Sequence, residues 1–161
     1  MSTDLHHQRF AAVLEVVCES GAGSVLDLGC GDGELTLALA QQPGIDRLVG
    51  IDLDARALQV LEAELAEAPP TRAAVTLRHA SYLDPDPTLR GFAAVVMVET
   101  IEHIDPDRLS LVERAVFTTI AAPLVVVTTP NADFNPLLGV PPHRLRHPDH
   151  LFEWGRERFA R

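Results

Sequence analysis

The stretch "VLDLGCGDGEL", Val25 to Leu35, decides how this chain folds. Val25 to Leu28 is short and mostly apolar without a strict polar alternation, which reads as a strand covered on both faces, and Glu34 onward carries helical apolar spacing. Glycines at 29, 31 and 33 stand between them and let the backbone turn tightly with a ligand lying against it. Strand, glycine loop and helix in that order form the context in which such a loop holds a nucleotide-type ligand. The spacing is G-x-G-x-G and not the G-x-G-x-x-G of dinucleotide sites, so by itself it is weak. Charge discriminates further. A pyrophosphate seeks bare amides at a helix N-terminus, whereas Asp27, Asp32 and Glu34 surround this loop with carboxylates that repel it.

A ligand that presents positive charge is therefore expected. S-adenosylmethionine (SAM) carries a sulfonium and an ammonium and no phosphate, and it suits an acid-rimmed glycine loop. Asp52 ends a second apolar strand 19 residues after Gly33, where a carboxylate can accept both ribose hydroxyls. The plainer alternative makes Asp27 and Asp52 turn residues and the glycines an ordinary loop.

The remaining chain repeats the same alternation. Helices are expected over Phe10 to Glu19, Glu34 to Gln41, Ala55 to Glu67 and Pro106 to Thr119, and strands over Ser24 to Leu28, Leu48 to Leu53, Ala74 to Arg78, Ala93 to Val98 and Leu124 to Thr128. Short apolar strands separated by helices imply an α/β fold with a mostly parallel sheet and helices on both faces. Residues 130–148 are rich in proline and read as a loop around a site or as a lid.

At 161 residues with 47 % hydrophobic content, one domain spanning 1–161 is expected. No apolar run reaches the length of a membrane span and no secretory leader is visible, so a cytoplasmic protein with no membrane partner is expected. Cys18 and Cys30 make no C-x-x-C pair, which fits a reducing compartment. The net charge of −10 argues against nucleic acid at first sight. Its distribution tempers this: residues 143–161 hold 5 Arg against 3 acids, whereas residues 1–142 hold 8 Arg against 20. A polyanion should meet the C-terminal end. All 13 basic residues are Arg, which suits planar phosphate contacts and is equally what a GC-rich genome produces.

"VVMVETIEHID", Val95 to Asp105, carries Glu99, Glu102 and His103 at i, i+3 and i+4, on one face if the chain turns helical there. Adjacent carboxylates repel unless a proton or cation sits between them, and a divalent metal answers that. The alternative is an acidic helix start favoured by the macrodipole, with His103 on the surface. "RHPDHLFEW", Arg146 to Trp154, supplies His147 and His150, and two Glu with two His make a mixed site suited to Mn²⁺, with Mg²⁺, Co²⁺ or Fe²⁺ as alternatives. Neither H-E-x-x-H nor H-x-x-E-H is present.

The glycine loop with its following acid resembles the class I SAM-dependent methyltransferases, which are Rossmann-like, over nearly the whole chain. That resemblance implies cofactor contacts from Asp27, Gly29, Cys30, Gly31, Asp52, Leu53, Ser81, Tyr82 and Val98. It also implies two further strands, for which no segment is found after "FEWGRERF", so either a C-terminally truncated domain or a short sheet is expected. A truncated edge would leave the fifth strand's neighbour position open to pairing with another chain. E-x-x-E-H after the fourth strand, "TTPNADFNPLL" at Thr128 to Leu138, "DHLFEW" at Asp149 to Trp154 and "QRF" at Gln8 to Phe10 together resemble the Hen1 family of small-RNA 2′-O-methyltransferases, in its bacterial type.

What this second resemblance implies is specific. Glu99, Glu102, His103 and His150 would be catalytic metal ligands, and the methyl acceptor would be the 2′-hydroxyl of the 3′-terminal ribose of RNA, activated by a divalent ion (Mn or Mg) held at its vicinal hydroxyls. Asn131, Phe134 and Asn135 follow the fifth strand, where the bend at Pro130 would aim them at the metal pocket to position substrate. His147, outside the ligand pattern, reads as a support behind the ligands or as a residue facing RNA. Phe152 and Trp154 read as packing residues or as a base stack. An RNA-repair ligase or kinase is implied as a partner. Two other functions stay open: a metal-dependent O-methyltransferase of small diols or catechols, and a SAM-binding module without activity.

Overall fold

The computed structural model describes residues 2–84 and 86–160. Five strands form one parallel sheet: β1 (Ser24–Leu28), β2 (Arg47–Asp52), β3 (Ala74–His79), β4 (Ala94–Val98) and β5 (Leu124–Thr128). Their order across the sheet is β3-β2-β1-β4-β5. The chain reverses its direction of travel between β1 and β4, whose pairing runs from Val25 opposite Ala94 to Asp27 opposite Val96. In a sheet of this kind the crevice outside the carboxyl ends of those two strands is where ligands bind.

Both sheet faces are apolar because the side-chain period of two sends alternate residues to opposite sides. Leu26, Leu28, Val49, Ile51, Val95 and Met97 pack on one face with Phe92, Val112, Val116, Ile120 and Phe152. Val25, Leu48, Ala94 and Val96 pack on the other with Val13 and Val17 of α1 (Ser2–Glu19) and Leu35 and Leu39 of α2 (Glu34–Ala40). Helix α3 (Ala55–Glu67) places Leu61 beneath the glycine loop, and the Asp54 carboxylate caps its start by accepting from the amides of Arg56 and Ala57.

Three expectations change. Helix α1 begins at Ser2, well before Phe10, because its polar early turns find acids elsewhere in the fold: His6 and His7 lie 3.3 and 3.5 Å from the Glu34 carboxylate, and Arg9 lies 3.2 Å from Glu99. The expected helix from Pro106 to Thr119 is a 3₁₀ turn (Pro106–Arg108), then α4 (Leu109–Glu113), which widens into a π-helical stretch over Arg114–Ile120. Val112, Val116 and Ile120 repeat every four residues, longer than the α period of about 3.6, and the widened turn keeps that row against the sheet.

The third change concerns Glu99, Glu102 and His103, which do not share one helical face. Glu99 sits at φ 51, in the left-handed region, because its amide donates to the Thr128 carbonyl at 3.0 Å across the end of β5. Only Ile101–His103 forms a helical turn, of the 3₁₀ type. The last helix, α5 (Arg156–Phe159), is one turn long, and β5 lies at the edge of the sheet among the described residues.

Candidate active site

The glycine loop leaves β1 at the switch point and is held from β2. Gly29 and Cys30 donate their amides to the Ile51 carbonyl at 2.8 and 3.2 Å, and Gly31 donates to Asp52 Oδ2 at 2.7 Å. Asp52 Oδ1 accepts from the Asp54 amide at 2.8 Å, so this carboxylate pins both the loop and the start of α3. Two glycines are required by space: a Cβ on Gly29 would meet Thr100, and one on Gly33 would overlap the Leu61 side chain. Gly31 differs. With φ +54 its hypothetical Cβ meets nothing within 4 Å, so this turn is open where a ligand would lie.

Asp27 is buried under the loop and accepts from Thr36 Oγ1 at 2.7 Å; burial pushes its carboxyl up to about 6, against the pull of that hydrogen bond and with Asp52 adding to the rise. Cys30 is inert as a nucleophile: burial, and then the charges of Asp27 and Asp52, push its thiol up to about 12. Burial also raises the Tyr82 phenol above its usual range, with Asp52 and Glu102 contributing. Ser81 Oγ accepts from the Leu83 amide at 3.2 Å and shapes the Tyr82 turn, Leu53 is largely exposed beside Asp52, and Val98 ends β4 opposite Thr128. Such a rim of carboxylates around an open glycine turn fits the sulfonium and ammonium of SAM and not a pyrophosphate.

Beyond the ends of β4 and β5 lies a second cluster. Glu102, His103 and His150 each offer a ligand atom within 4.8 Å of the others. Glu102 is wholly buried; its Oε2 accepts from Thr129 Oγ1 at 3.0 Å, and its Oε1 has no partner. Burial pushes this carboxyl up to about 7, the charge of Glu99 adds to the rise, and Thr129 and Arg9 pull it back. A buried carboxylate with one orphaned oxygen, close to two imidazoles, is a polar gap of the kind a cation can fill.

Each of those imidazoles is oriented from behind. His103 Nδ1 lies 3.1 Å from the Asp149 carbonyl, and His150 Nδ1 lies 2.6 Å from Glu153 Oε1. Both partners accept only, so the two Nδ1 atoms carry the protons and both Nε2 lone pairs are free to ligate. Glu153 is the hub of this support. It also accepts from the Arg146 amide at 2.7 Å and from Asn135 Nδ2 at 2.6 Å, and although burial favours a higher value, these hydrogen bonds hold its carboxyl below the ordinary range.

Of the four expected ligands, three converge. Glu99 is adjacent, since its charge raises Glu102, but its Oε2 pairs with Arg9 at 3.2 Å and its Oε1 accepts from Thr128 Oγ1 at 3.3 Å. Among the expected positioning residues, Asn131 uses its side chain on the Asp133 amide and Asn135 binds Glu153 and Arg146. Phe134 alone of the three leaves an exposed ring.

A family model described as a methyltransferase domain matches residues 25–120. The small RNA 2′-O-methyltransferase of Rattus norvegicus is 39 % identical over 162 residues, covering 96 % of this chain and 41 % of the rat protein. That of Arabidopsis thaliana is 30 % identical over 173 residues, covering 96 % of this chain and 18 % of the plant protein. The crystal structure of the methyltransferase domain of bacterial CtHen1-C aligns with a TM-score of 0.83 at 32 % identity, over 97 % of this chain and 80 % of that one. The chain belongs to the Hen1 methyltransferase family. It spans about two fifths of the length of the vertebrate relatives it matches.

Reading the residues alone misses several parts of this Hen1 domain. Glu153 is legible only as the acid three places after His150 in "DHLFEW", and Arg9 only as the middle of "QRF". Thr129 is legible only as the second residue of "TTPNADFNPLL" and Asp149 as the first of "DHLFEW", and neither motif tells that a hydroxyl or a carbonyl there meets Glu102 or His103. The donor set suits a divalent ion that accepts mixed oxygen and nitrogen ligands, with Glu102, His103 and His150 as its nearest donors and Glu99 beside them.

Proposed function

We propose that residues 1–161 form a domain that transfers the methyl group of SAM to the 2′-hydroxyl of the 3′-terminal nucleotide of RNA, with a divalent ion, Mn²⁺ or Mg²⁺, as second cofactor. The observation that carries this reading is the buried Glu102 carboxylate, its Oε1 unpartnered, clustered with two imidazoles whose Nδ1 atoms are tied down. Relatives named small RNA 2′-O-methyltransferases support the substrate.

The two halves of the site divide the work. Asp27, Gly29, Cys30 and Gly31 shape the methyl-donor cradle, Asp52 holds the loop and meets the ribose with Leu53 beside it, Ser81 and Tyr82 border the adenine side, and Val98 lines the methionine side. Glu99, Glu102, His103 and His150 hold the ion, Phe134 contacts the substrate, and Asn131 and Asn135 keep their loop in place. When bound, the ion supplies Lewis acidity that lowers the pKa of a hydroxyl. The hydroxyl oxygen forms a bond to the methyl carbon as the sulfur–methyl bond breaks; the sulfur keeps the electron pair, and the hydroxyl proton leaves to solvent or a nearby imidazole. In-line placement of acceptor and donor by the two clusters supplies much of the rate. A cytoplasmic setting and an RNA-repair ligase or kinase as partner belong to the same reading.

Methyl transfer from labelled SAM tests it, using short RNAs that end in an intact diol, a periodate-oxidised ribose or a 2′-deoxyribose, with Mn²⁺ or with chelator. Transfer only to the intact diol and only with the ion is expected. Transfer to small catechols but not RNA would replace the substrate, and SAM binding without turnover would leave a binding module. Glu102→Ala should abolish ion-dependent turnover while the SAM dissociation constant stays within about threefold; equal loss of both would overturn the division of labour.

A further inference from the structure

The third imidazole of the cluster is set differently from the other two. The His147 ring centroid lies 5.5 Å from that of His150 and 6.5 Å from that of His103. Its Nδ1 lies 3.2 Å from the Asp149 amide, and a backbone N–H can only donate. The Asp149 carboxylate stands 3.7 Å from the same nitrogen, outside hydrogen-bond range, so the amide decides the tautomer. Nδ1 of His147 is the acceptor and Nε2 carries the hydrogen, the reverse of His103 and His150. A neutral Nε2–H cannot ligate an ion; it donates. This side chain is 55 % exposed, and Nε2 has no protein partner among the described residues. Arg146, the residue before it, is held within its own loop, where its Nε donates to Asn135 Oδ1 and its Nη2 to the Asn131 carbonyl. The Nε2–H left facing outward at the rim of the cluster lies in the net-positive C-terminal stretch, residues 143–161.

We propose that His147 is the substrate-facing imidazole of this site: its Nε2–H donates to a non-bridging oxygen of the last internucleotide phosphate and so positions the RNA end beside the ion-binding residues. This rests on the function proposed above. The positioning role is separable from ion binding, because the tautomer that lets His147 donate prevents it from ligating.

The test measures three quantities for the wild-type chain, His147→Phe and His147→Gln: the Mn²⁺ dissociation constant by electron paramagnetic resonance, RNA affinity by fluorescence anisotropy, and KM and kcat for methyl transfer. For His147→Phe, RNA affinity should weaken and KM rise by about tenfold, with Mn²⁺ affinity and kcat within about twofold. His147→Gln, which keeps a donor, should recover part of the loss. An RNA with a methylphosphonate at its last linkage should bind the wild type more weakly and show little further loss with His147→Phe. Weakened Mn²⁺ binding would make His147 a ligand and overturn the proposal. So would unchanged RNA affinity, or losses from the variant and the methylphosphonate that simply add. A wild type that binds the RNA end without methylating it would sink the proposed reaction alone, since anisotropy still reads the His147 contact.

Discussion

At the scale of single residues, Asp27 stores a cost that pH can reveal. Its carboxyl titrates at about 6 in the folded chain against an ordinary value of 3.8, so the folded state holds the proton more tightly and the ionised form is the disfavoured one. Stability from this group is fully present below about pH 4 and is lost as pH rises through 6, a difference of about 3 kcal/mol. Asp27→Asn, whose carbonyl oxygen can still accept from Thr36, should therefore raise the melting temperature at pH 8, with the gain vanishing near pH 4; a pH-independent difference in thermal melts would contradict the cause given. Arg9 poses a different question. It is the cation beside Glu99, both side chains are only 23 % exposed, and it draws Glu102 down as well. Arg9→Met should destabilise the ion-free protein by about 1 kcal/mol, and Mn²⁺ should then raise its melting temperature by more than it raises that of the wild type, because the carboxylates have lost their internal counter-charge.

At the scale of elements, the glycine loop joins two kinds of constraint. Gly33 combines φ +85 with a Cβ position that overlaps Leu61, which is fully buried and has nowhere to move. Gly33→Ala should cost about 2–4 kcal/mol in denaturant melts, from backbone strain and overpacking together. Gly31→Ala, at φ +54 in open space, should cost about 1 kcal/mol of stability and yet weaken SAM binding more than tenfold, since its methyl group enters the cradle. If both variants lost stability equally and SAM affinity in proportion, the loop would be a purely structural turn. The 3₁₀ turn after β4 shows the same interplay. "ETIEH" has helical spacing, but the Glu99 amide is drawn to Thr128, and the turn starts two residues later than the spacing suggests.

Across the whole molecule, an acidic body carries a basic end. The net charge of −10 disfavours a polyanion, and the net-positive residues 143–161 hold His147 and His150 at the same end. Long-range attraction should contribute little to RNA binding, and short-range contacts at the last nucleotides should carry most of it. KM for RNA should rise with salt along a log–log slope of magnitude about 2 or less, at roughly 0.7 per phosphate neutralised. A slope several times steeper in kinetic assays across a salt series would require an RNA track along the body. The sheet order brings the glycine loop after β1 and the histidine cluster after β4 and β5 to one crevice, which is why a donor cradle and an acceptor site can share it.

Fold class and strand positions were legible in the chain itself, as was the meeting of Glu102, His103 and His150 though not the pairing of Glu99 with Arg9, because apolar period, glycine spacing and motif order are local properties. Segments such as Leu124–Thr128 and "VLDLGCGDGEL" admit few other conformations. What only the tertiary structure decided was how the polar groups pair. Arg9 reaches Glu99 across most of the fold, the Asp149 carbonyl sets the tautomer of His103 from 46 residues away, and Glu153 gathers His150, Asn135 and Arg146 onto one carboxylate. Hydrogen-bond direction depends on which donor meets which acceptor after packing, and no local spacing encodes that. Two imidazoles of the cluster thereby have Nδ1 tied to an acceptor and the third has Nδ1 facing an amide donor.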